Sequence, residues 1–345
     1  MGSGNWDTNT FAARGAAKAA AGKPTFAHDD HVRRTGVIKV HDDLDPKRVN
    51  TAGIVIREAF DSDEHPNSTP IAVCFDVTGS MRELPKAMQQ KFPQLHGVLQ
   101  RRGYVSDPQL LFAAVGDAYS DQVPLQIGQF ESDNRQDEQL ECFYLEGGGG
   151  GGNHESYQLF AYFMARHAEL DSVKKRGKKG YLFIIGDERV YDKIDRRQVE
   201  EIFGERLQED IPTTQIFAEL REKFEVFFLF AAQGSYQPEG VMYAGGGLGS
   251  DGAGVCYWRD LLGQNAIILE DADAVCETIA LTIGLMEGVV DLDEGAEHLL
   301  ESGADRSSVD SATKALATVG AGASSVAKAD GAVGVSNDPD TASTV

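Results

Sequence analysis

Cysteine is scarce in this chain. Cys74, Cys142, Cys256 and Cys276 are the only four in 345 residues, and no two have CxxC spacing. That excludes a zinc ribbon and argues against a disulfide-stapled secreted scaffold. Positive charge is also in short supply: 32 Lys and Arg stand against 54 Asp and Glu, giving a net charge of −22 and a pI near 4.7. Such a surface repels phosphate backbones, so nucleic acid is not an expected partner. Long apolar runs are missing too. No segment approaches the roughly 20 apolar residues needed to span a bilayer, so no membrane role is expected. The first 23 residues are Ala-rich and poor in acids but lack the apolar run of a secretory leader. With thiols expected to stay reduced, the expected location is cytoplasmic. There is no GxxxxGK[ST] phosphate loop and no GxSxG nucleophile elbow.

What is present is an ordinary globular balance, 41% hydrophobic and 25% charged, enough to bury a sizeable core. Residues 1–69 mix Ala-rich sequence with polar turns and read as a partly irregular N-terminal extension. Within it, His28-Asp29-Asp30-His31 and His41-Asp42-Asp43 carry metal-binding residue types, although acidic solvated turns are the commoner use of such sequence. From Thr69 the pattern becomes regular. IAVCFD (71–76), LLFAAV (110–115), YLFII (181–185), VFFLF (226–230) and AIIL (266–269) are apolar runs of the kind found in strands buried on both faces. PLQIGQF (124–130) alternates and reads as an edge strand. Helical spacing covers 81–102, 156–167, 197–207, 214–223 and 258–262, and Asp271 is placed to cap a helix running to about Met286. The Gly-rich stretch 236–254 reads as an inserted loop.

Alternating strands and helices predict a doubly wound, Rossmann-like α/β domain over residues 70–288, with a mostly parallel sheet and helices on both faces. Residues 289–301 are read as a linker or helix end. From residue 302 to 345 large apolar residues almost vanish, and that stretch is expected to be a disordered Ala/Gly/Ser-rich tail, with room for a short transient helix around Ala312 to Val319. In such sheets ligands bind beyond the carboxyl ends of the strands. Asp76, Asp117 and Asp187 each follow a predicted strand, and Asp117 reads more simply as a turn residue.

The segment FDVTGSM (75–81) holds the most specific chemistry. Asp76, Thr78 and Ser80 alternate along a chain leaving a strand, which turns a carboxylate and two hydroxyls to one side. Hard oxygen donors suit Mg²⁺, Mn²⁺ or Ca²⁺. A magnesium ion with few carboxylates keeps exchangeable positions and residual charge, so it can accept a carboxylate from another protein. The segment resembles the metal-ion-dependent adhesion site of von Willebrand factor A domains, whose first motif is DxSxS, often followed by Met; here Thr78 replaces the first Ser. The resemblance spans about Thr69 to Met286 and implies that fold. It also implies a third metal-associated residue, usually Thr, in a glycine-rich loop before a helix. Asn153, after the glycine run 147–152, stands at that place without the hydroxyl, and His154 or Glu155 is positioned to compensate. The family's last motif, an Asp ending an apolar strand, is matched by Asp187. By resemblance the chain is expected to be a metal-dependent protein-binding adaptor, not an enzyme. Its partner would be another protein, such as a MoxR-type AAA+ ATPase or a component of a stress-linked gene cluster.

The alternative is a phosphatase of the haloacid dehalogenase type, using Asp76 and Asp187. That chemistry needs a second acid two residues after the nucleophile to act as general acid. Position 78 is Thr, which cannot supply that proton near neutral pH.

Overall fold

Six apolar runs form one sheet. The computed structural model describes residues 4–81, 84–147, 153–232 and 254–326. Its sheet comprises β1 (Thr69–Asp76), β2 (Pro108–Val115), β3 (Leu125–Ile127), β4 (Gly180–Gly186), β5 (Phe224–Ala231) and β6 (Ala266–Leu269). The order across the sheet is β6-β5-β4-β1-β2-β3. Every neighbouring pair is parallel except β2–β3, where the predicted edge strand runs antiparallel. The chain therefore winds outward from β1 to one edge, returns to β4 beside it, and winds to the other edge. The reversal opens a crevice at the carboxyl ends of β1 and β4, where ligands sit in such folds.

Helices α1 (Thr8–Ala20) and α2 (Ala27–Thr35) precede the sheet, and α3 (Leu84–Arg101) joins β1 to β2. Between β3 and β4 lie α4 (Arg135–Leu140), α5 (Tyr157–His167) and α6 (Asp171–Arg176). Helices α7 (Arg196–Phe203) and α8 (Thr213–Arg221) link β4 to β5, and α9 (Val255–Leu262) leads into β6. Helices α10 (Val275–Met286), α11 (Leu292–Glu301) and α12 (Arg306–Val326) come last. The alternation of side chains along each strand divides the core in two. Ile71, Val73 and Phe75 face α3 and α10, while Ala72 and Cys74 face the cluster containing α5, α8 and α9. Helix α3 buries Leu84, Met88, Phe92, Leu95 and Leu99, a stripe of helical period. Asp271 caps as expected, its side chain accepting the Asp273 N–H at 2.9 Å before α10. The helix predicted over 197–207 stops sooner, at Phe203, because Gly204 adopts φ 76° and ends it.

One expectation is corrected and two are made specific. The stretch from residue 302 is not structureless, because Arg306–Val326 is a docked helix. Val309, Ala312 and Leu316 recur at helical spacing and are buried. Lys91 of α3 donates to Ser308 Oγ at 2.8 Å and to Glu277 Oε1 at 3.1 Å, tying α12 to α3 and α10. Small residues let helices approach closely, so a composition poor in large apolar residues can still pack. Residues 327–345 lie outside the described residues. Residues 289–301, read as a linker or helix end, are largely helix α11, opened by Asp291, whose side chain accepts the Glu294 N–H. The N-terminal extension is more ordered than its composition suggests. Trp6 meets Phe92 of α3 edge-to-face at 4.8 Å and stacks on His96 at 5.3 Å. Helix α2 is braced by Arg33–Asp29 and Arg34–Asp30 pairs at i,i+4, so His28-Asp29-Asp30-His31 is helical, not a turn. Asp29 Oδ1 accepts the Leu145 N–H, and Arg33 donates to the Leu145 carbonyl at 2.6 Å. Gly147, two residues on, donates to the Val77 carbonyl at 3.0 Å. The extension thus holds the segment that leads into the glycine run.

Candidate metal centre

Register brings the predicted residues together. Phe75 pairs with Ile185 across β1–β4, which sets Asp76 level with Gly186 and brings Asp187, the next residue, to the same sheet edge, where its charge acts on Asp76. Asp76 is fully buried. Its Oδ1 accepts the Thr78 N–H at 2.7 Å and the Thr78 hydroxyl at 2.6 Å. Its Oδ2 accepts the Tyr157 hydroxyl at 2.9 Å. Tyr157 opens α5, and its ring reaches Asp76 by passing over Gly186, where any Cβ would collide with the tyrosine hydroxyl. Asp187 is fully buried. The backbone of Ser80 lies in a 3₁₀ turn, Gly79–Met81, closed by the Met81 N–H to the Thr78 carbonyl; its side chain lies outside the described residues. The glycine run from 148 to 152 also lies outside them.

Asn153 arrives on a short parallel pair. Its carbonyl accepts the Arg189 N–H at 3.2 Å, and His154–Glu155 pairs with Arg189–Val190. The side chains of this pair point to opposite sides. His154 stacks on Tyr191 at 5.1 Å, while Glu155 is buried and its Oε2 has no hydrogen-bond partner among the described residues. Asp117 behaves as a turn residue, accepting the Tyr119 N–H and the Ser120 and Tyr191 hydroxyls.

The electrostatics are those of crowded acids. Burial, opposed by the Thr78 hydrogen bonds and reinforced by Asp187, pushes Asp76 up to about 7. Burial, then the charges of Asp76 and Glu188, push Glu155 up to about 11. Burial, then Asp76 and Asp187, push Glu188 up to about 9. The charges acting most strongly on each are other carboxylates. Burying like charges without a counter-charge is costly, and the donors are all hard oxygens, the set that suits Mg²⁺ or Ca²⁺. Thr78 Oγ1 and Asp76 Oδ1 lie 2.6 Å apart, near the ~2.9 Å separating adjacent ligands in an octahedron with bonds of about 2.1 Å. Among the described residues these acids do not form a compact three-carboxylate cage. A cation here would be shared between one carboxylate and hydroxyls, with water completing it, as the sequence pattern suggests. Nothing in the sequence singles out Tyr157, and adjacency to Asp187 is the one signal available for Glu188.

No protein-family model matches the sequence, and no curated protein matches it significantly. Among solved structures, the pilus adhesin SpaC from Lactobacillus rhamnosus GG aligns at TM-score 0.42 and 11% identity, over 63% of this chain and 31% of that one. The conserved hypothetical protein BatB from Bacteroides thetaiotaomicron aligns at TM-score 0.36 and 11% identity, over 64% of this chain and all of that one. A von Willebrand factor type A protein from Catenulispora acidiphila aligns at TM-score 0.34 and 11% identity, over 64% of this chain and 43% of that one. This chain spans about a third of the adhesin's length. Likeness of this size supports no functional conclusion, so function has to be inferred from the residues of the crevice themselves.

Proposed function

We propose that this chain is a divalent-cation-dependent protein-binding module of the von Willebrand factor A kind. The observation that carries the reading is the group of buried carboxylates, Asp76, Glu155 and Asp187, with the half-buried Glu188 beside them, at the carboxyl edge of the β1–β4 crevice. Asp76, Thr78 and Ser80 would hold Mg²⁺, or Mn²⁺ or Ca²⁺ in its place, with Asn153 and Asp187 beside them and Glu155 supplying an oxygen donor in place of the hydroxyl that Asn153 lacks. The bound ion would supply a Lewis-acidic position that a partner's Asp or Glu can occupy. The chain's own residues orient that position: Tyr157 and the Thr78 N–H fix the Asp76 carboxylate, and the Arg189–Asn153 bond sets the far wall. The partner is another protein, for which an AAA+ ATPase of the MoxR type or another stress-linked component is the candidate that the resemblance offers. Phosphatase chemistry is disfavoured because Thr78 occupies the general-acid position and itself donates to Asp76.

Calorimetry with Mg²⁺ tests the site. The wild-type chain should bind one Mg²⁺ at the crevice and capture its partner only with the ion present. Asp76→Ala should lose both while keeping its circular dichroism spectrum. Unchanged Mg²⁺ affinity in that variant would sink the assignment, and Mg²⁺-dependent phosphatase turnover lost in Asp76→Asn would favour the enzyme.

A further inference from the structure

The histidine–acid groups of the N-terminal extension play no part in that module, yet the fold gathers them. Helix α2 presents His28 and His31 one turn apart, their rings 6.5 Å centre to centre. The chain then returns past Lys39, and the ring of His41 meets that of His28 edge-on at 5.1 Å. Cys142, just beyond α4, approaches from the opposite side. One ligand atom each from His41, Asp43 and Cys142 lies within 4.8 Å of the others, the one such group of His, Cys and acidic residues among the described residues. A cavity of about 550 Å³ opens on His41 and Cys142 and is also lined by His28, His31, Glu138 and Glu141.

We propose that His41, Asp43 and Cys142 form a second metal site, for a borderline-soft divalent ion of the Zn²⁺ class, with His28 the nearest candidate for a fourth ligand. The donor set sets the class. Thiolate and imidazole select Zn²⁺ over Mg²⁺ or Ca²⁺, and one sulfur, one nitrogen and one oxygen leave a tetrahedral ion a single open position. His28 is prepared for that role: its Nε2 lies 2.9 Å from the Lys39 carbonyl, which makes Nε2 the donor and leaves Nδ1 with the lone pair. Asp43 directs Oδ1 to Arg48 at 2.8 Å and holds Oδ2 3.7 Å from His41 Nδ1.

The local charges favour a cation. Burial, then Asp43, Glu141 and Glu138, push the Cys142 thiol up to about 11. Burial and the neighbouring His28 lower His41, against the pull of Asp43 and Asp42. Such an ion would staple the N-terminal extension to the segment after α4.

Co²⁺ titration of the metal-stripped full chain tests this, with Mg²⁺ present in excess to occupy the crevice. One Co²⁺ per chain should bind with thiolate-to-metal charge-transfer absorption, and Zn²⁺ should displace it and raise the melting temperature. Cys142→Ser should abolish the charge-transfer band. His41→Ala should weaken Zn²⁺ binding by at least about tenfold, the scale lost when even an outer partner of a metal site is removed. Cys256→Ser, which removes the exposed thiol, should change neither. Asp76→Ala should keep the band, which separates this site from the crevice. Co²⁺ uptake without a thiolate band, a band that survives Cys142→Ser, or one lost in Cys256→Ser would overturn the proposal. Should Cys142→Ser fail to fold, undiminished Zn²⁺ affinity in folded His41→Ala would also overturn it.

Discussion

Asp76→Asn should stabilise the metal-free chain at alkaline pH, although it alters the residue most central to the site. An acid whose pKa is raised on folding binds its proton more tightly in the folded chain. Its contribution is therefore full below the unfolded value and is lost as pH rises through the folded one. For Asp76 the span runs from 3.8 to about 7. Three units at 1.36 kcal/mol each set the cost of carrying this carboxylate into the fold above pH 7 at about 4 kcal/mol. Asparagine keeps an Oδ1 for the Thr78 N–H and hydroxyl. It replaces the acceptor facing Tyr157 with an N–H donor, and the phenol can turn to accept from it. The rearrangement costs about 1–2 kcal/mol. The net expectation is a gain of about 2–3 kcal/mol at pH 8 in EDTA, vanishing or reversing near pH 5. Urea denaturation of both proteins at pH 5, 6, 7 and 8 measures it. Wild-type stability should fall across that range more steeply than the variant's, and Mg²⁺ should restore the wild type alone. A variant less stable than wild type at pH 8 in EDTA would refute the account of the crevice as a pocket of uncompensated charge.

Packing sets two further outcomes. Gly186→Ala would drive a methyl group into the Tyr157 hydroxyl; overpacking of this kind costs about 1–3 kcal/mol, and the displaced tyrosine should also weaken Mg²⁺ binding, as calorimetry would show. Leu316→Ala should cost about 2–5 kcal/mol in chemical denaturation, because Leu316 lies on the buried face of α12, packed into the core; an unchanged midpoint would mean that α12 does not support the core.

The sheet is legible because strands buried on both faces leave continuous apolar runs. β1, β2, β4, β5 and β6 all carry such runs in the sequence, and even the edge strand β3 shows its alternation. The helices of the extension are not legible. Helix α1 buries no residue of its own, and its hold comes from remote partners, such as Lys18 with Asp137 at 3.0 Å and Asp7 with Asn134 at 2.9 Å. Helix α12 hides for another reason: Ala and Ser give it little hydrophobic signal, and only its neighbours reveal a packed face. Within the crevice, Asp76 and Thr78 are readable because their spacing along one strand fixes their geometry. The burial of Glu155 depends on a two-residue parallel pairing with Arg189–Val190 across separate loops, which spacing along the chain does not encode.

The clamp of α2 on Leu145 has a mechanical consequence. The backbone that Asp29 and Arg33 grip passes within two residues to Gly147, whose N–H is bonded to Val77, between the two oxygen donors Asp76 and Thr78. Stiffness at the rim of the crevice is therefore set partly by a helix that supplies none of the proposed ligands. Substitutions in that helix would alter how fast a partner lets go without touching any atom the partner meets. Under the proposed binding mode, residence time and binding chemistry would be written in separate stretches of sequence and could be tuned one at a time.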